Sequence, residues 1–483
     1  MFAQASRASA ALAAILVVFS AFGQDGTWEG KFPMDTGVIF ASSGVIDGKL
    51  HVVGGSPPNT LLQIYDPGTD RWAAGASAPT ARCAAAAGVI DGRLYVAGGM
   101  FSCDSSRTTD ILEVYDAAAG RWETKERMRT ARNLSAGGVV DGKLYVIGGQ
   151  QACAPCISMT TVEVYDPVID KWASRAPMPT ARSHHRAAVI DGKIYVVGGQ
   201  NVAFAGDRGR EVGALEVYDP ATDTWETKAT MPTPRLLMSV AALDGRIHAI
   251  GGQDLSTNLK THEAYDAATD TWAADAPAPT QFVWSSAAET IGSKIYVAGR
   301  FTPSPYSITS VHEAFTPADK AAPVLTLPGD LVANATSPAG AVVNYTVSAT
   351  DNADPSPTVA CAPASGSTFP VGTSVVSCTA TDVAGNSSNG TFSIVVNGAA
   401  AQASILVAVV ENLDLSAGAT ESLTSKLENA LASLAAGNVT SGCNVLSAFI
   451  NQVAAQSGKQ FTAAEADQLI AAANQVRAAQ GCP

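Results

Sequence analysis

Trp28-Glu29-Gly30-Lys31, near the start of the chain, recurs in kind at Trp225-Glu226-Thr227-Lys228, where the segment closes a long repeat. The repeat array therefore starts in mid-repeat. Its far end shows the complementary defect: Lys294-Ile295-Tyr296-Val297 and Glu313-Ala314-Phe315 are present, but no Trp follows them. An early segment that supplies the outer strand of the last repeat makes sense only in a closed ring, which removes the unpaired strand edge an open array would expose.

Between these ends, Asp-Gly stands at Asp47-Gly48, Asp91-Gly92, Asp141-Gly142, Asp191-Gly192 and Asp244-Gly245, each flanked by apolar runs. Such a dipeptide signals a tight hairpin, because both residues tolerate positive φ. Each hairpin's second strand ends in Gly-Gly, at Gly54-Gly55, Gly98-Gly99, Gly148-Gly149, Gly198-Gly199 and Gly251-Gly252; a sixth copy degrades to Gly292-Ser293 and Gly299-Arg300. Tyr-Asp pairs from Tyr65-Asp66 to Tyr265-Asp266 follow, then Trp72, Trp122, Trp172, Trp225 and Trp272. Successive Gly-Gly pairs lie 44, 50, 50 and 53 residues apart, the spacing of four short strands folded into one propeller blade. With Trp28 there are six blade-closing tryptophans, and Trp284 is left over. Over residues 27–317 the double glycine, spaced Tyr and Trp, and Asp-Gly turn resemble the kelch repeat family, which implies a six-bladed kelch β-propeller.

The remaining composition bounds the rest. A chain of 483 residues, 47% hydrophobic, is long enough for several cores, and about three modules are expected. A formal net charge of −13 argues against nucleic acid as a partner. Arg7, the apolar stretch from Ala10 to Phe22, and the small residues Ala21 and Gly23 before Gln24 read as a signal peptide over residues 1–23. That run is shorter than the roughly 20 residues a spanning helix needs, as is Ala401 to Val410, so the mature chain is expected to be exported without a transmembrane span. Eight cysteines fit an oxidising compartment, where an even number usually means pairs.

Four-stranded blades place the short Asp-Gly and Asp-Pro turns on one rim; the long connections Met100 to Asp110, Gln150 to Thr161, Gln200 to Gly213 and Gln253 to Thr261 fall on the other. Binding functions favour such loops, so the ligand site is expected there. Arg82, Arg132, Arg182 and Arg235, each nine residues before a turn Asp, form a candidate carboxylate clamp around the mouth. The competing reading makes them part of the repeat, tying blades together. Val38 and Gln281 or Phe282 leave that ring incomplete. His184 and His185 fall near the same mouth, but neighbours on a strand point to opposite sides and share a metal poorly. His51, His248, His262 and His312 read as packing residues. Among kelch-like enzymes, the copper, tyrosine and cross-linked cysteine of galactose oxidases find no match here; sialate mutarotases are nearer, and Glu211 with the arginines stands as a candidate for comparable roles.

Beyond residue 317 the pattern changes. Val324 to Pro328, Asn344 to Asp351, Ser377 to Asp382 and Phe392 to Val396 alternate as strands of a β-sandwich over residues 318–398. Ala349-Thr350-Asp351, Phe369-Pro370-Val371-Gly372 and Cys378-Thr379-Ala380-Thr381-Asp382 with Ala384-Gly385-Asn386 resemble the hyalin repeat (HYR), an immunoglobulin-like module of extracellular proteins; that family implies a Cys361–Cys378 disulfide. Asp351, Asn352, Asp354, Asp382 and Asn386 offer oxygens for calcium, or cap their own turns. Over residues 401–483, apolar residues at helical spacing, such as Leu423, Leu427, Leu431 and Leu434, describe a four-helix bundle, with Thr462 and Glu465 as a capping box. This end resembles FIMAH, a helical module at the C-termini of secreted bacterial proteins. Cys443 and Cys482 can clip its tail, Cys83 and Cys103 can bridge one blade, and Cys153 and Cys156 can form a local bridge.

Together these features predict a mainly β, multidomain, secreted or cell-surface protein that binds an extracellular glycan or protein through the long-loop face, with no cofactor required. An enzyme of sialate mutarotase type acting at the mouth is the alternative. An enzyme would need a buried Glu or Asp there with a shifted pKa.

Overall fold

The computed structural model describes residues 26–56, 59–101, 107–151, 156–204, 209–254, 256–281, 284, 287–303 and 306–483. The chain divides into two compact units, Met1–Ala318 and Asp319–Pro483.

Among the described residues, the first unit contains six four-stranded antiparallel sheets. Blade 3 shows the plan, with strands Ala136–Val140, Lys143–Ile147, Val162–Asp166 and Lys171–Arg175 in sequential order. Asp141 and Gly142 turn its first hairpin with φ of 48° and 67°, the left-handed pair such a turn requires. The innermost strands of successive blades neighbour one another in a circle, and the strand of the sixth returns to that of the first. Crowding at this axis selects small residues: a Cβ on Gly137 would lie 2.2 Å from the carbonyl oxygen of Ala87.

Ring closure follows the sequence reading. Thr27–Lys31 forms the outer strand of blade 6, pairing antiparallel with Tyr306–Thr316 so that Trp28 faces Phe315 and Lys31 faces His312. Each blade-closing indole then donates to a carbonyl in the link from the blade before. Trp122, Trp172, Trp225 and Trp272 reach Ala76, Glu126, Ala176 and Ala229 at 2.8–2.9 Å. The closing strand supplies both seams: Trp28 donates to Ala276, and Phe32 accepts from Trp72.

A second bond set repeats around the ring. Asp70, Asp170, Asp223 and Asp270 each accept the hydroxyl of the Tyr five residues earlier, at 2.6–2.8 Å. The same carboxylates accept the N–H of Phe32, Glu126, Ala176 and Ala229 respectively. Blade 2 has Gly120 at this place.

In the second unit, Leu331–Asn334, Ser387–Asn397, Gly372–Thr381 and Thr358–Ala362 form a four-stranded sheet whose first pair is parallel. Val324–Thr326 pairs with Ser348–Thr350, and Ala341–Val342 with Thr368–Phe369. The strand expected over residues 344–351 is shorter than its alternation suggests, because Tyr345 spends its N–H on the Ser365 hydroxyl rather than on a ladder. Helices α1 (Ala399–Glu411), α2 (Ala417–Ala435), α3 (Val439–Gln456) and α4 (Ala463–Gln480) follow, and the Thr462–Glu465 capping box is formed in full.

The sandwich and the helices are not separate bodies. Phe369, Val376 and Phe392 belong to one continuous core with Ala403, Leu427, Phe449 and Leu469. One residue separates the last strand from α1, and the Gln402 amide bonds the carbonyls of Ala335 and Asn397 across the junction. The alternation-to-helix switch near residue 400 marks a change of secondary structure inside one unit. Cys361 pairs with Cys378, and Cys443 with Cys482. Cys83 and Cys156 are also disulfide-bonded; Cys103 and Cys153, their expected partners, lie outside the described residues.

Candidate functional site

The four link arginines do not line an opening. Arg132, Arg182 and Arg235 are fully buried and Arg82 nearly so, each paired with a glutamate on the third strand of its own blade: Arg82 with Glu113, Arg132 with Glu163, Arg182 with Glu216 and Arg235 with Glu263. Further guanidinium protons go to backbone carbonyls: Arg182 bonds those of Val196, Gly198 and Ala214, with its Nε on the Met178 sulfur, while Nε of Arg235 is buried without a partner among the described residues. A guanidinium buried and paired this way fastens the second strand to the third and is shielded from a ligand at the mouth. The expected carboxylate clamp is therefore corrected to a framework.

Two blades depart from the pattern, and each is compensated. Blade 1 has Val38 in the arginine position and Gln63 in the glutamate position, and Gln63 exchanges two hydrogen bonds with the backbone of Thr36. In blade 6, Phe282 lies outside the described residues, and Arg300, from the degraded Gly-Gly, reaches Glu313 at 3.2 Å. The sequence signal for these partners was a Glu recurring two residues before the Tyr or Phe of the third strand in blades 2 to 6.

Two residues beyond each link arginine the backbone enters the left-handed region. Phe40, Ala84, Leu134, His184, Leu237 and Trp284 all have φ between 52° and 58°. The N–H of Ala84 bonds the carbonyl of Phe40, Leu134 that of Ala84, His184 that of Leu134 and Leu237 that of His184, forming a belt around the axis on the long-loop side. Strain in non-glycine residues repeated this way marks a rim held by the whole ring. Phe40, His184 and Trp284 keep part of their surface open. Phe40 and Phe301 both stack on the Trp284 ring system, at 5.7 and 4.6 Å, and the indole N–H donates to Gln253. The leftover tryptophan is thus a mouth residue. Phe101 and Phe204, on long connections of the same rim, are also exposed.

Of the histidine pair, only His184 reaches this belt. His185 is fully buried, with Nε2 against the carbonyl of Ile147. Burial, with Arg186 adding repulsion, lowers His184 to about 4, so its imidazole is neutral.

Below the belt runs the axial channel, walled by Ala, Gly, Ser and Val of the six inner strands. Two charged residues break that wall. Arg186 occupies the place of Ser42, Ala86 and Ala136, and Glu289 that of Gly44, Gly88 and Gly138. Among the described residues Arg186 has no carboxylate partner; burial lowers it only to about 10, so it stays charged. Glu289 lies where the two halves of the channel meet. Burial pushes its carboxyl up to about 7 against the opposing effect of the Ser43 hydroxyl, which donates to it at 2.8 Å. Sequence reading missed both, although charged residues in strands otherwise built of small ones were the available signal. Glu211 lies instead on a two-residue hairpin strand opposite Gln200.

In the second unit, the structure gathers Asp351 and Asp382 of the expected calcium set with Asp319, which was not in it. Oδ2 of Asp319 and of Asp351 is buried without a hydrogen-bond partner. Asp354 and Asn386 serve the turns, through Val383 N and through Asp382, and Asn352 is exposed.

This geometry defines a six-bladed propeller with a framework of repeated ion pairs and an irregular, part-aromatic mouth. The chain belongs to the kelch-repeat family: residues 36–199 and 140–313 match the KLHDC2/KLHL20/DRC7 Kelch-repeats domain, together more than half of its length. Residues 318–396 match the HYR domain. Kelch-like ECH-associated protein 1A of Danio rerio is 42% identical over 48 residues, which is 10% of this chain and only 8% of that protein. A solved structure titled "Structure of YjhT" is similar with a TM-score of 0.52 at 13% identity, covering 58% of this chain and 95% of that one, a likeness of fold. Disulfides and an HYR domain are compatible with an extracellular location, and no helix among the described residues is long and apolar enough to cross a membrane.

Proposed function

We propose that this is an exported binding protein whose propeller takes a carbohydrate or a protein loop at its long-loop face. The observation that carries the reading is the mouth itself: Phe40, Trp284 and Phe301 form a rigid apolar platform on the belt that also carries His184, over a channel holding Arg186, without a carboxylate partner among the described residues, and the carboxyl of Glu289. Rigid aromatic surface with a few convergent polar groups is the composition of ligand pockets. A sugar ring or an apolar side chain would cover the platform, and an acidic substituent would reach Arg186. Export rests on residues 1–23 read as a signal peptide, and the FIMAH-like helices serve as the cap of the second unit. Screening the intact protein and its Trp284→Ala variant on a glycan array and against a displayed-peptide library tests this. Retention of every hit by the variant overturns it.

One observation favours the enzymatic alternative. A carboxyl poised near pH 7 is suited to moving a proton on an acidic sugar, as a mutarotase does. Exchange between sialic acid anomers, followed by NMR with wild type and Glu289→Gln, separates the readings: acceleration lost in the variant makes the mouth catalytic. Calcium attaches to Asp319, Asp351 and Asp382, and melting with and without chelator tests it.

A further inference from the structure

Blade 5 carries a histidine pair that no other blade repeats. His248 lies on the second strand, Arg246–Ile250, and His262 opens the third, His262–Asp266. Both are buried. Nδ1 of His248 stands 3.0 Å from Nε2 of His262; one ring nitrogen of each histidine and one carboxylate oxygen of Asp275 lie within 4.8 Å of one another. Blades 2, 3 and 4 have Tyr95, Tyr145 and Tyr195 at the His248 position and Leu112, Val162 and Leu215 at the His262 position.

We propose that His248, His262 and Asp275 form a zinc site at the seam where the propeller closes. Two imidazole nitrogens about 3.3 Å apart are what one tetrahedral ion with Zn–N bonds of roughly 2.0–2.1 Å requires, so the observed 3.0 Å needs only a small opening. His262 is already oriented as a ligand. Its Nδ1 lies 3.1 Å from the carbonyl of Ala276, which takes that N–H and leaves the Nε2 lone pair facing His248. His248 binds after its Nδ1 proton moves to Nε2, so both ligands are neutral imidazoles; burial, which lowers the two to about 3 and 4, keeps them unprotonated. Asp275 uses Oδ1 to accept from Gly26 and Ala276, while Oδ2 makes no hydrogen bond among the described residues. Asp275 is only half-buried, which leaves room for a water as fourth ligand.

The surroundings give the site its role. Trp28 of the closing strand packs edge-on against His262 at 5.9 Å, and Phe315 lies 4.5 Å from the same ring. An ion here would brace the wall on which the N-terminal strand docks. Blade 6 supplies an internal control: His312 takes the His262 position, but Tyr296 faces it instead of a second histidine. Cysteine does not compete, since none is free among the described residues.

The test is cobalt titration of the untagged, full-length protein after chelator treatment. Wild type is expected to take one equivalent with the visible bands of a tetrahedral nitrogen and oxygen site, and zinc should displace the cobalt and raise the melting temperature. His248→Tyr installs the side chain that three blades already tolerate, so after the same chelator treatment it should fold and melt like wild type, gain no stability from zinc, and lose at least a hundred-fold in cobalt affinity. His51→Tyr should bind as wild type does. No tetrahedral band in wild type, or undiminished binding by His248→Tyr, overturns the proposal. The Asp319 cluster offers oxygen donors alone and would not give these bands.

Discussion

Arg182 and Arg186 are four residues apart, and they serve opposite ends. Arg182 is fully buried, paired with Glu216 and bonded to three carbonyls. Arg186 faces the channel with no carboxylate partner among the described residues. Glu216 and Glu289 repeat the contrast: one recurs in blade after blade, the other stands where its counterparts are small. What recurs is tied to stability, because every blade must meet the same two neighbours. What breaks the recurrence is free of that duty, and the two charged breaks, Arg186 and Glu289, both lie on the axial channel.

The most drastic way to test the regular framework is to remove the piece that completes it. Deletion of residues 24–34 takes away the outer strand of blade 6 and two of the indole-to-link bonds, Trp28 to Ala276 and Trp72 to Phe32. The third strand of blade 6 is then left as an unpaired edge and blade 1 loses its seam to it, so the propeller's cooperative thermal transition should be lost or strongly lowered. An unchanged melting temperature would mean that closure does not stabilise the ring.

Next in size is the ion pair. Arg182→Met leaves Glu216 buried and uncompensated, an expected loss of about 3–5 kcal/mol in urea unfolding. Adding Glu216→Gln imitates blade 1, where valine and glutamine replace the pair, and should recover most of that loss. If the double variant is no better than the single, Arg182 acts through its carbonyl bonds rather than through charge.

The irregular pair should behave differently. Arg186→Gln and Glu289→Gln are expected to leave stability at pH 5 within about 1 kcal/mol while weakening ligand binding. For Glu289 the sign can be worked out. Its folded pKa of about 7 exceeds the ordinary 4.5, so the folded state holds the proton longer and wild type loses stability as pH rises through that interval. Glu289→Gln lacks this loss. Its melting temperature should draw ahead of wild type between pH 4.5 and 7 and keep a constant lead above, whereas a constant difference from pH 4 to 8 would show that the carboxyl is not shifted.

The contrast also explains what was legible in the sequence. Ring, blade count and the closing strand could be read because Trp28, the Asp-Gly turns and the double glycines recur, and recurrence is visible without coordinates. The link arginines were visible for the same reason, yet their position alone did not say whether they faced water or a glutamate; only the recurrent Glu113, Glu163, Glu216 and Glu263 two residues before each Tyr distinguishes the cases. Arg186, Glu289 and the platform around Trp284 escaped notice because a singular residue has no pattern to announce it. The His248–His262 approach joins two strands by register, which no spacing along the chain displays. Asp319 joined Asp351 and Asp382 for a similar reason, by folding rather than by motif.

The smallest test repairs a gap in the framework. Gly120 stands where Asp70, Asp170, Asp223 and Asp270 serve four other blades, and its φ of 63° is close to the 49–54° of those aspartates. A Cβ there would meet nothing within 4 Å. In Gly120→Asp, the new carboxylate should accept the Tyr115 hydroxyl and the N–H of Ala76, whose carbonyl already holds Trp122. Each bond is worth about 1 kcal/mol net, while leaving glycine at positive φ costs about the same, so a gain of roughly 0.5–1 kcal/mol is expected. A loss of stability would show that blade 2 satisfies its tyrosine by other means and that the repeat is less uniform than its spacing suggests.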